Sequence, residues 1–164
     1  MHELNLNNIA ELTHELTYYR YILNQGRTDS LFRDLALSEY VALDRIARSI
    51  SEKGDAEART YLQDLAETLK LSIPQTSKMI GRLRDKGLVI WSHDGNGTDG
   101  TYVSITESGV QAMERQEMIL KDYYGRVIDR FGRENMAKLL RLMIQLEKDM
   151  DAELSEKGEE ADGV

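Results

Sequence analysis

The sequence predicts a mainly α-helical fold with a small β-hairpin. Near both ends of the 164-residue chain, apolar residues recur at alternating steps of three and four, the spacing of amphipathic helices. In the middle, a segment with helix start and stop signals precedes two runs rich in β-branched and aromatic residues, which flank a glycine-containing loop. The predicted order is helix, helix, a pair of helices joined by a turn, hairpin, helix, helix.

Two helices are predicted before the centre of the chain. The first covers about residues 6–25, and Gly26 offers a stop. Its apolar stripe consists of Ile9, Leu12, Leu16, Tyr19 and Leu23. A second helix is predicted to begin at Ser38, whose hydroxyl can cap the free amides of EYVALDRIARSI. Its buried side is expected to hold Val41, Leu43 or Ile46, and Ile50.

The central helix pair has clear boundary signals. The segment YLQDLAETL places Leu62, Leu65, Ala66 and Leu69 at helical spacing. Ser72 is the predicted N-cap of the next helix, Pro74 is tolerated in its first turn, and Gly87 ends it after about Lys86. The residues expected to face inward are Thr76, Met79, Ile80 and Leu83. The expected exposed side holds Pro74, Gln75, Lys78, Gly81, Arg82 and Asp85.

The hairpin and two long helices follow. LVIWS and TYVSIT are the predicted strands, with Trp91 packing at the base of the hairpin. Thr106 is the predicted cap of a long helix, and Gly132 separates it from the last one. Their stripes contain Val110, Met113, Leu120, Tyr124, Val127 and Phe131, then Leu139, Met143, Leu146 and Met150. The acidic segment 156–164 is expected to be disordered.

The terminal helices carry more apolar surface than the small central module can cover. A second copy of the chain is the economical partner, so we expect a twofold homodimer. Residues 1–36 and 107–155 would then be dimerisation helices around a helix-turn-helix with hairpin over residues 38–106, all in one domain. The alternative is a self-contained helical bundle.

Composition limits the possible functions. The chain is 41% hydrophobic and 30% charged, and no apolar run approaches the roughly 18 residues of a membrane span, so we expect a soluble protein with no membrane partner. MHELNLNNIAEL lacks the features of a secretory signal, which favours a cytoplasmic location. Without cysteine, disulfides, thiolate zinc sites and a cysteine nucleophile are excluded. No enzyme motif is present, the three histidines are too scattered for a zinc motif, and no cofactor is expected.

Charge distribution favours one surface for nucleic acid. The net charge of −8 argues against non-specific binding to DNA, but residues 59–88 carry a net charge of +3. A helix pair of this kind reads double-stranded DNA by laying its second helix in the major groove. Gln75 could contact adenine through two bonds, Lys78 could reach guanine or a phosphate, and Arg82 could reach the backbone. A solvated amphipathic helix is the alternative.

The run YLQDLAETLKLSIPQTSKMIGRLRDKGLVIWS, with a glycine-bearing loop and then YVSITESG, resembles the MarR family of bacterial transcriptional regulators. The similarity covers nearly the whole chain, and its most specific parts are LAETLKLS, LRDKGLV and VSITESG. The resemblance implies a winged helix-turn-helix and a homodimer on a palindromic operator. It also implies, in many members, a repressor that releases DNA when a small aromatic or phenolic effector binds.

The loop between the strands departs from the family, whose members commonly place an Asp followed by one or two Arg there. Here the loop is HDGNGTDGT, which has no lysine or arginine. We therefore expect binding to depend more on the recognition helix than on the wing. The candidate DNA-binding residues are Pro74, Gln75, Ser77, Lys78, Arg82, Arg84, His93, Asn96 and Thr98.

An effector site is harder to identify from the sequence. Aromatic residues with an arginine would suit a planar organic anion. The candidates are His14, Tyr18, Tyr21, Tyr40, Arg45 and Trp91, for which packing is the alternative role. An alternative function for the whole chain is a winged-helix protein-interaction module or antirepressor without DNA binding.

Overall fold

The structure is a computed structural model that describes residues 8–25, 28–53, 59–95 and 100–162. The chain divides into two compact units, Met1–Glu117 and Met118–Val164. In chain order the elements are α1 (Ile9–Asn24), a 3₁₀ turn (Asp29–Leu31), α2 (Leu37–Lys53), β1 (Thr60–Tyr61), α3 (Leu62–Leu69), α4 (Ile73–Asp85), β2 (Val89–His93), β3 (Thr101–Ile105), α5 (Glu107–Phe131) and α6 (Arg133–Asp162). The helix ranges fit the sequence prediction, except for the start of α2 and the end of α6. Among the helices of the described ranges, none is both long and apolar enough to cross a membrane.

Within the described ranges the sheet has three strands, rather than the two of the predicted hairpin. Its order is β1-β3-β2, and both pairings are antiparallel. The additional strand, Thr60–Tyr61, pairs Thr60 with Val103 and Tyr61 with Tyr102. Two residues are too few to show the alternation that identifies a strand in a sequence, and only pairing with β3 makes this segment extended.

The core of the first unit lies between α2, α3, α4 and one face of the sheet. The predicted inward face of α4 is confirmed, since Thr76, Met79, Ile80 and Leu83 are all buried. On α2 the buried residues include Ala42 and both alternatives, Leu43 and Ile46, while Val41 is half-buried. The side chain of Ile50 lies outside the described part of the chain, as does Gly26.

The start of α2 corrects one prediction. The helix begins at Leu37, and the Ala36 carbonyl accepts from the Tyr40 N–H at 2.9 Å, so Ser38 lies in the first turn and is not the cap. Instead, the Glu39 carboxylate accepts the Ala36 N–H at 2.9 Å. This is half of a capping box, in which the third helical residue reaches back to the residue before the helix.

The caps of α4 are confirmed. Ser72 Oγ accepts the Gln75 N–H at 3.4 Å, and Gln75 Oε1 accepts the Ser72 N–H at 3.0 Å, which completes a capping box. At the other end Gly87 has φ +70°, a left-handed conformation that a side chain would strain. A single residue, Leu88, then connects Gly87 to β2.

Thr106 joins the helix pair to α5. Its hydroxyl accepts the Gly109 N–H at 3.0 Å, which confirms the predicted cap, and donates to the Gly87 carbonyl at 2.8 Å. The Thr106 N–H donates to the Leu88 carbonyl at 3.0 Å. The motifs LRDKGLV and VSITESG are therefore two sides of one hydrogen-bonded junction.

The second unit contains the end of α5 and all of α6. Gly132, with φ +93°, ends α5 as predicted, and its N–H donates to the Ile128 carbonyl at 2.8 Å. The segment 156–164, expected to be disordered, is instead helical as far as Asp162. The residues before it are mostly strong helix formers, which favour continuation of α6.

Candidate nucleic-acid interface

The polar side of α4 is presented outward because its apolar side is fixed in the core. Lys78, Arg82 and Arg84 are exposed, Pro74 is exposed in the first turn, and Ser77 is half-buried. Two of these cations, Lys78 and Arg82, stand one turn apart and so lie on the same side of the helix. The surface has the shape and the charge of a helix that enters the DNA major groove.

Gln75 already makes local contacts that compete with base recognition. Its Oε1 atom accepts from both the backbone N–H and the hydroxyl of Ser72, each at 3.0 Å. A two-bond contact to adenine uses both the oxygen and the nitrogen of the amide. Gln75 would therefore have to leave the capping box to make that contact, whereas Lys78 is exposed on the same surface.

A buried carboxylate holds the end of α4 to the start of α2. Glu39 is 4% exposed. Its Oε2 atom accepts from Lys86 Nζ at 2.7 Å, and Oε1 lies 3.8 Å from Arg82 Nε. Lys86 Nζ also donates to the Asp34 carbonyl at 3.1 Å. We call Glu39, Lys86 and Arg82 the α2–α4 latch.

The latch determines the ionisation of Glu39. Burial alone would raise its pKa, because burial penalises the charged carboxylate. The hydrogen bonds from Lys86 and the Ala36 N–H, with the charges of Lys86 and Arg82, outweigh burial and hold the pKa of Glu39 below its ordinary value of 4.5. Glu39 was not among the residues predicted from the sequence. Its position three residues after Ala36 was a usable signal for the cap, but Lys86 is 47 residues away and no local pattern indicates that pairing.

Glu39→Gln is expected to lower the free energy of unfolding by about 1 to 2 kcal/mol at about pH 7, because the amide cannot replace the charge that binds Lys86. Because folding lowers the pKa of Glu39, the charged carboxylate stabilises the fold at pH values above its ordinary pKa of 4.5. This stabilisation is lost as the pH falls through the lower pKa of the folded state. The gap between wild type and variant should therefore shrink below about pH 4.5. Urea unfolding across pH measures it.

The matched control is Glu67→Gln, which removes a carboxylate from the exposed side of α3. Its effect on unfolding should be small at neutral pH, because exposed substitutions away from such pairs usually change stability little. A gap between wild type and Glu39→Gln that stays constant down to about pH 3 would contradict a charged latch.

The wing, residues 89–105, is closed by contacts at its loop. Asp94 N–H donates to the Gly100 carbonyl at 3.0 Å, and Asp94 Oδ2 accepts from the Tyr61 hydroxyl at 3.1 Å. His93, a predicted DNA contact, also stabilises the loop, because its Nδ1 atom accepts the Gly95 N–H at 2.9 Å. The other two wing candidates, Asn96 and Thr98, lie outside the described residues.

Arg84 packs against the base of the wing. Its Nη2 atom lies 3.0 Å from Asp85 Oδ1, and its guanidinium carbon lies 6.0 Å from the centre of the Trp91 ring. Trp91 is half-buried against the core, as predicted for the base of the hairpin. Arg84 is thus engaged beside the hairpin and less free than Lys78 to approach a base.

The six candidate effector residues are spread over the first unit. His14, Tyr18 and Tyr21 are exposed on α1, and Tyr18 contacts the neighbouring Tyr19 edge to face at 5.3 Å. Tyr40 packs near Phe32, with ring centres 6.3 Å apart, and Arg45 is exposed on α2. None of the six lines the apolar cavity of ≈ 530 Å³ between α2, α3 and α4, whose walls are Ala36, Leu37, Ser38, Val41, Leu69, Leu71 and Met79.

The chain is similar in sequence to one curated regulator. It is 28% identical over 138 residues to the HTH-type transcriptional regulator FarR of Neisseria gonorrhoeae, and the alignment covers 84% of each chain. No protein-family model matches the chain. The similarity in sequence therefore agrees with a helix-turn-helix protein.

Solved structures share the fold over most of the chain. The transcriptional regulator PA4135 has a TM-score of 0.60 and 25% identity, with 84% of this chain and 96% of that one covered. A mutant MarR from E. coli, complexed with operator DNA, has a TM-score of 0.67 and 18% identity, with 85% and 98% covered. PcaV from Streptomyces coelicolor, in complex with its natural ligand, has a TM-score of 0.62 and 16% identity, with 90% and 98% covered. The predicted winged helix-turn-helix and the resemblance to MarR regulators are confirmed at the level of the fold.

Proposed function

We propose that this chain is a transcriptional regulator of the MarR type that binds double-stranded DNA through α4. The observation that carries the proposal is the exposed polar side of α4, where Lys78 and Arg82 stand one turn apart on a helix fixed by four buried residues. The fold shared with a MarR solved on operator DNA supports it. Positive charge on this face can prevail over the acidic net charge, because salt at about 0.15 M limits interactions between exposed charges to about 8 Å.

We propose further that the regulator acts as a homodimer on a palindromic operator. Support comes from the large apolar side chains that α1, α5 and α6 leave exposed, since such surface is often covered by a partner protein. They include Ile9, Leu23, Met118, Leu142, Ile144 and Leu154. A twofold dimer would bury them and hold two copies of α4 about one helical turn of DNA apart.

We also propose that the protein is a repressor relieved by a small aromatic or phenolic effector. Among the candidate residues, Tyr40 and Trp91 are half-buried aromatic groups that could line a site for a planar anion. Arg45 is an exposed guanidinium on α2 that could bind the carboxylate of such a ligand. The proposal that the chain binds DNA does not depend on this effector.

Gel retardation of DNA taken from upstream of the protein's own gene tests the proposed function. We expect a retarded complex that contains two chains per duplex. Its affinity should fall steeply from about 50 to about 200 mM salt, because phosphate contacts release bound cations. A scrambled duplex of the same length is the control for sequence specificity.

Two results would count against sequence-specific DNA binding. If no upstream fragment were retarded at low salt, the alternative would be favoured. In that case the chain would be an acidic protein-interaction module that does not bind DNA. A shift that is equal on the scrambled duplex would leave only non-specific binding. A complex with one chain per duplex would contradict the homodimer and leave DNA binding standing.

A further inference from the structure

Arg59, which immediately precedes β1, stacks on the wing. Its guanidinium carbon lies 4.6 Å from the centre of the Tyr102 ring on β3. Tyr102 is paired across the sheet with Tyr61 of β1, and the two rings meet edge to face with centres 6.3 Å apart. We call Arg59, Tyr61 and Tyr102 the wing patch.

The wing patch lies on the outer face of the sheet. Thr60 lies between Arg59 and Tyr61 and is 3% exposed. Val103 follows Tyr102 in β3 and is 0% exposed. Both side chains therefore face the core. Successive residues of a strand point to opposite faces, so Tyr61 and Tyr102 point outward. All three residues of the patch are partly exposed, and an external ligand can reach them.

The patch also lies beside the helix pair. Tyr61 is the residue that immediately precedes α3, and its hydroxyl donates to Asp94 at the wing loop at 3.1 Å. In a helix-turn-helix the first helix crosses the DNA backbone while the second enters the major groove. The patch therefore lies between the start of α3 and the wing loop, next to the helix that crosses the DNA backbone in complexes of this kind.

The chemistry of the patch suits a phosphate. Stacking uses the face of a guanidinium and leaves its N–H groups at the edge, where they match the oxygens of a phosphate. The loop HDGNGTDGT carries no lysine or arginine, so a cation on this side must come from elsewhere in the chain. We infer that Arg59, oriented by Tyr102, binds a DNA backbone phosphate beside the wing. This inference rests on the proposed function, which α4 carries independently.

Arg59→Ala tests the inference by the salt dependence of operator binding. We expect affinity to fall about 3- to 10-fold at about 100 mM salt, and the slope of log affinity against log salt to become shallower by about 0.9 for each phosphate that is no longer bound. Arg59→Lys should have an intermediate affinity, because lysine keeps the charge without the stacked planar group. Tyr102→Leu, which removes the ring and keeps Arg59, should also weaken binding if its thermal unfolding is unchanged.

The matched control is Arg48→Ala, which changes the net charge equally. Arg48 is already paired with Asp44, with Nε 2.9 Å from the carboxylate, so its removal should change affinity less than about 2-fold. Ethylation interference gives a second readout: with Arg59→Ala, interference should disappear at one backbone phosphate of each half-site.

If Arg59→Ala had the same affinity, the same salt slope and the same interference pattern as the wild type, the inference would be overturned. The proposed function would remain intact. If Arg48→Ala reduced affinity as much as Arg59→Ala, the effect would be one of net charge and the inference would also fail. If the wild-type protein bound no DNA, both the inference and the proposed function would fail.

Discussion

Gly109→Ala is expected to destabilise the protein by about 3 kcal/mol, because the new methyl group has no space. A Cβ at Gly109 would overlap the Leu88 carbonyl oxygen and lie 2.8 Å from Ile105 Cγ1. The Leu88 carbonyl is backbone, so it cannot rotate away. It also accepts the Thr106 N–H at 3.0 Å, and moving it would strain the junction between the helix pair and α5.

Thermal unfolding is the measurement for Gly109→Ala. The destabilisation should lower Tm by about 6 to 12 °C for a chain of this size. Gly81→Ala is the matched control, since Gly81 lies inside α4 in the same compact unit and a Cβ there meets nothing within 4 Å. It should raise stability by about 0.5 to 1 kcal/mol, as alanine is the better helix former. If both variants gained stability, the close approach of α5 to Leu88 would be wrong.

Lys78→Ala is expected to weaken binding to the specific operator by about 30-fold or more, equivalent to about 2 kcal/mol. Lys78 is exposed on α4, and in the proposed dimer each substitution removes the lysine from both half-sites of one operator. Fluorescence anisotropy on specific and scrambled duplexes measures the change in affinity. A larger decrease on the specific duplex indicates a contact to a base, whereas equal decreases with a shallower salt slope indicate a phosphate contact.

Lys148→Ala is the control for Lys78→Ala, because it removes the same charge from an exposed position of α6 in the second compact unit. It should bind DNA with nearly wild-type affinity. Binding that collapsed on replacement of residues 95–98, while the double variant Lys78→Ala, Arg82→Ala still bound, would contradict recognition centred on α4.

Much of the fold could be predicted from local patterns. The spacing of Met79, Ile80 and Leu83 predicted which side of α4 is buried, and Ser72 and Thr106 were predicted correctly as caps. Such signals act between residues within a turn or two of each other. The outward polar side of α4 could be predicted for the same reason.

The misses were contacts that local patterns do not encode. β1 is extended only because β3 lies beside it. The cap of α2 is the Glu39 carboxylate, which also binds Lys86 at the end of α4. Ser38, which has suitable capping chemistry, therefore does not cap the helix. Among the candidate site residues, Gln75 was found on the predicted surface, but its amide is engaged by its own helix.

The sequence alone determined where α4 and α5 begin and end, which side of α4 is apolar, and that positive charge gathers around α4. These properties follow from steric preferences and spacing along a short stretch of chain. Only the tertiary structure decided that Glu39 holds α4 to α2, that Gly109 passes against the Leu88 carbonyl, and that Arg59 stacks on Tyr102. Those pairs are separated by 21 to 47 residues, and packing of the whole core must bring them together before any short-range force can act between them.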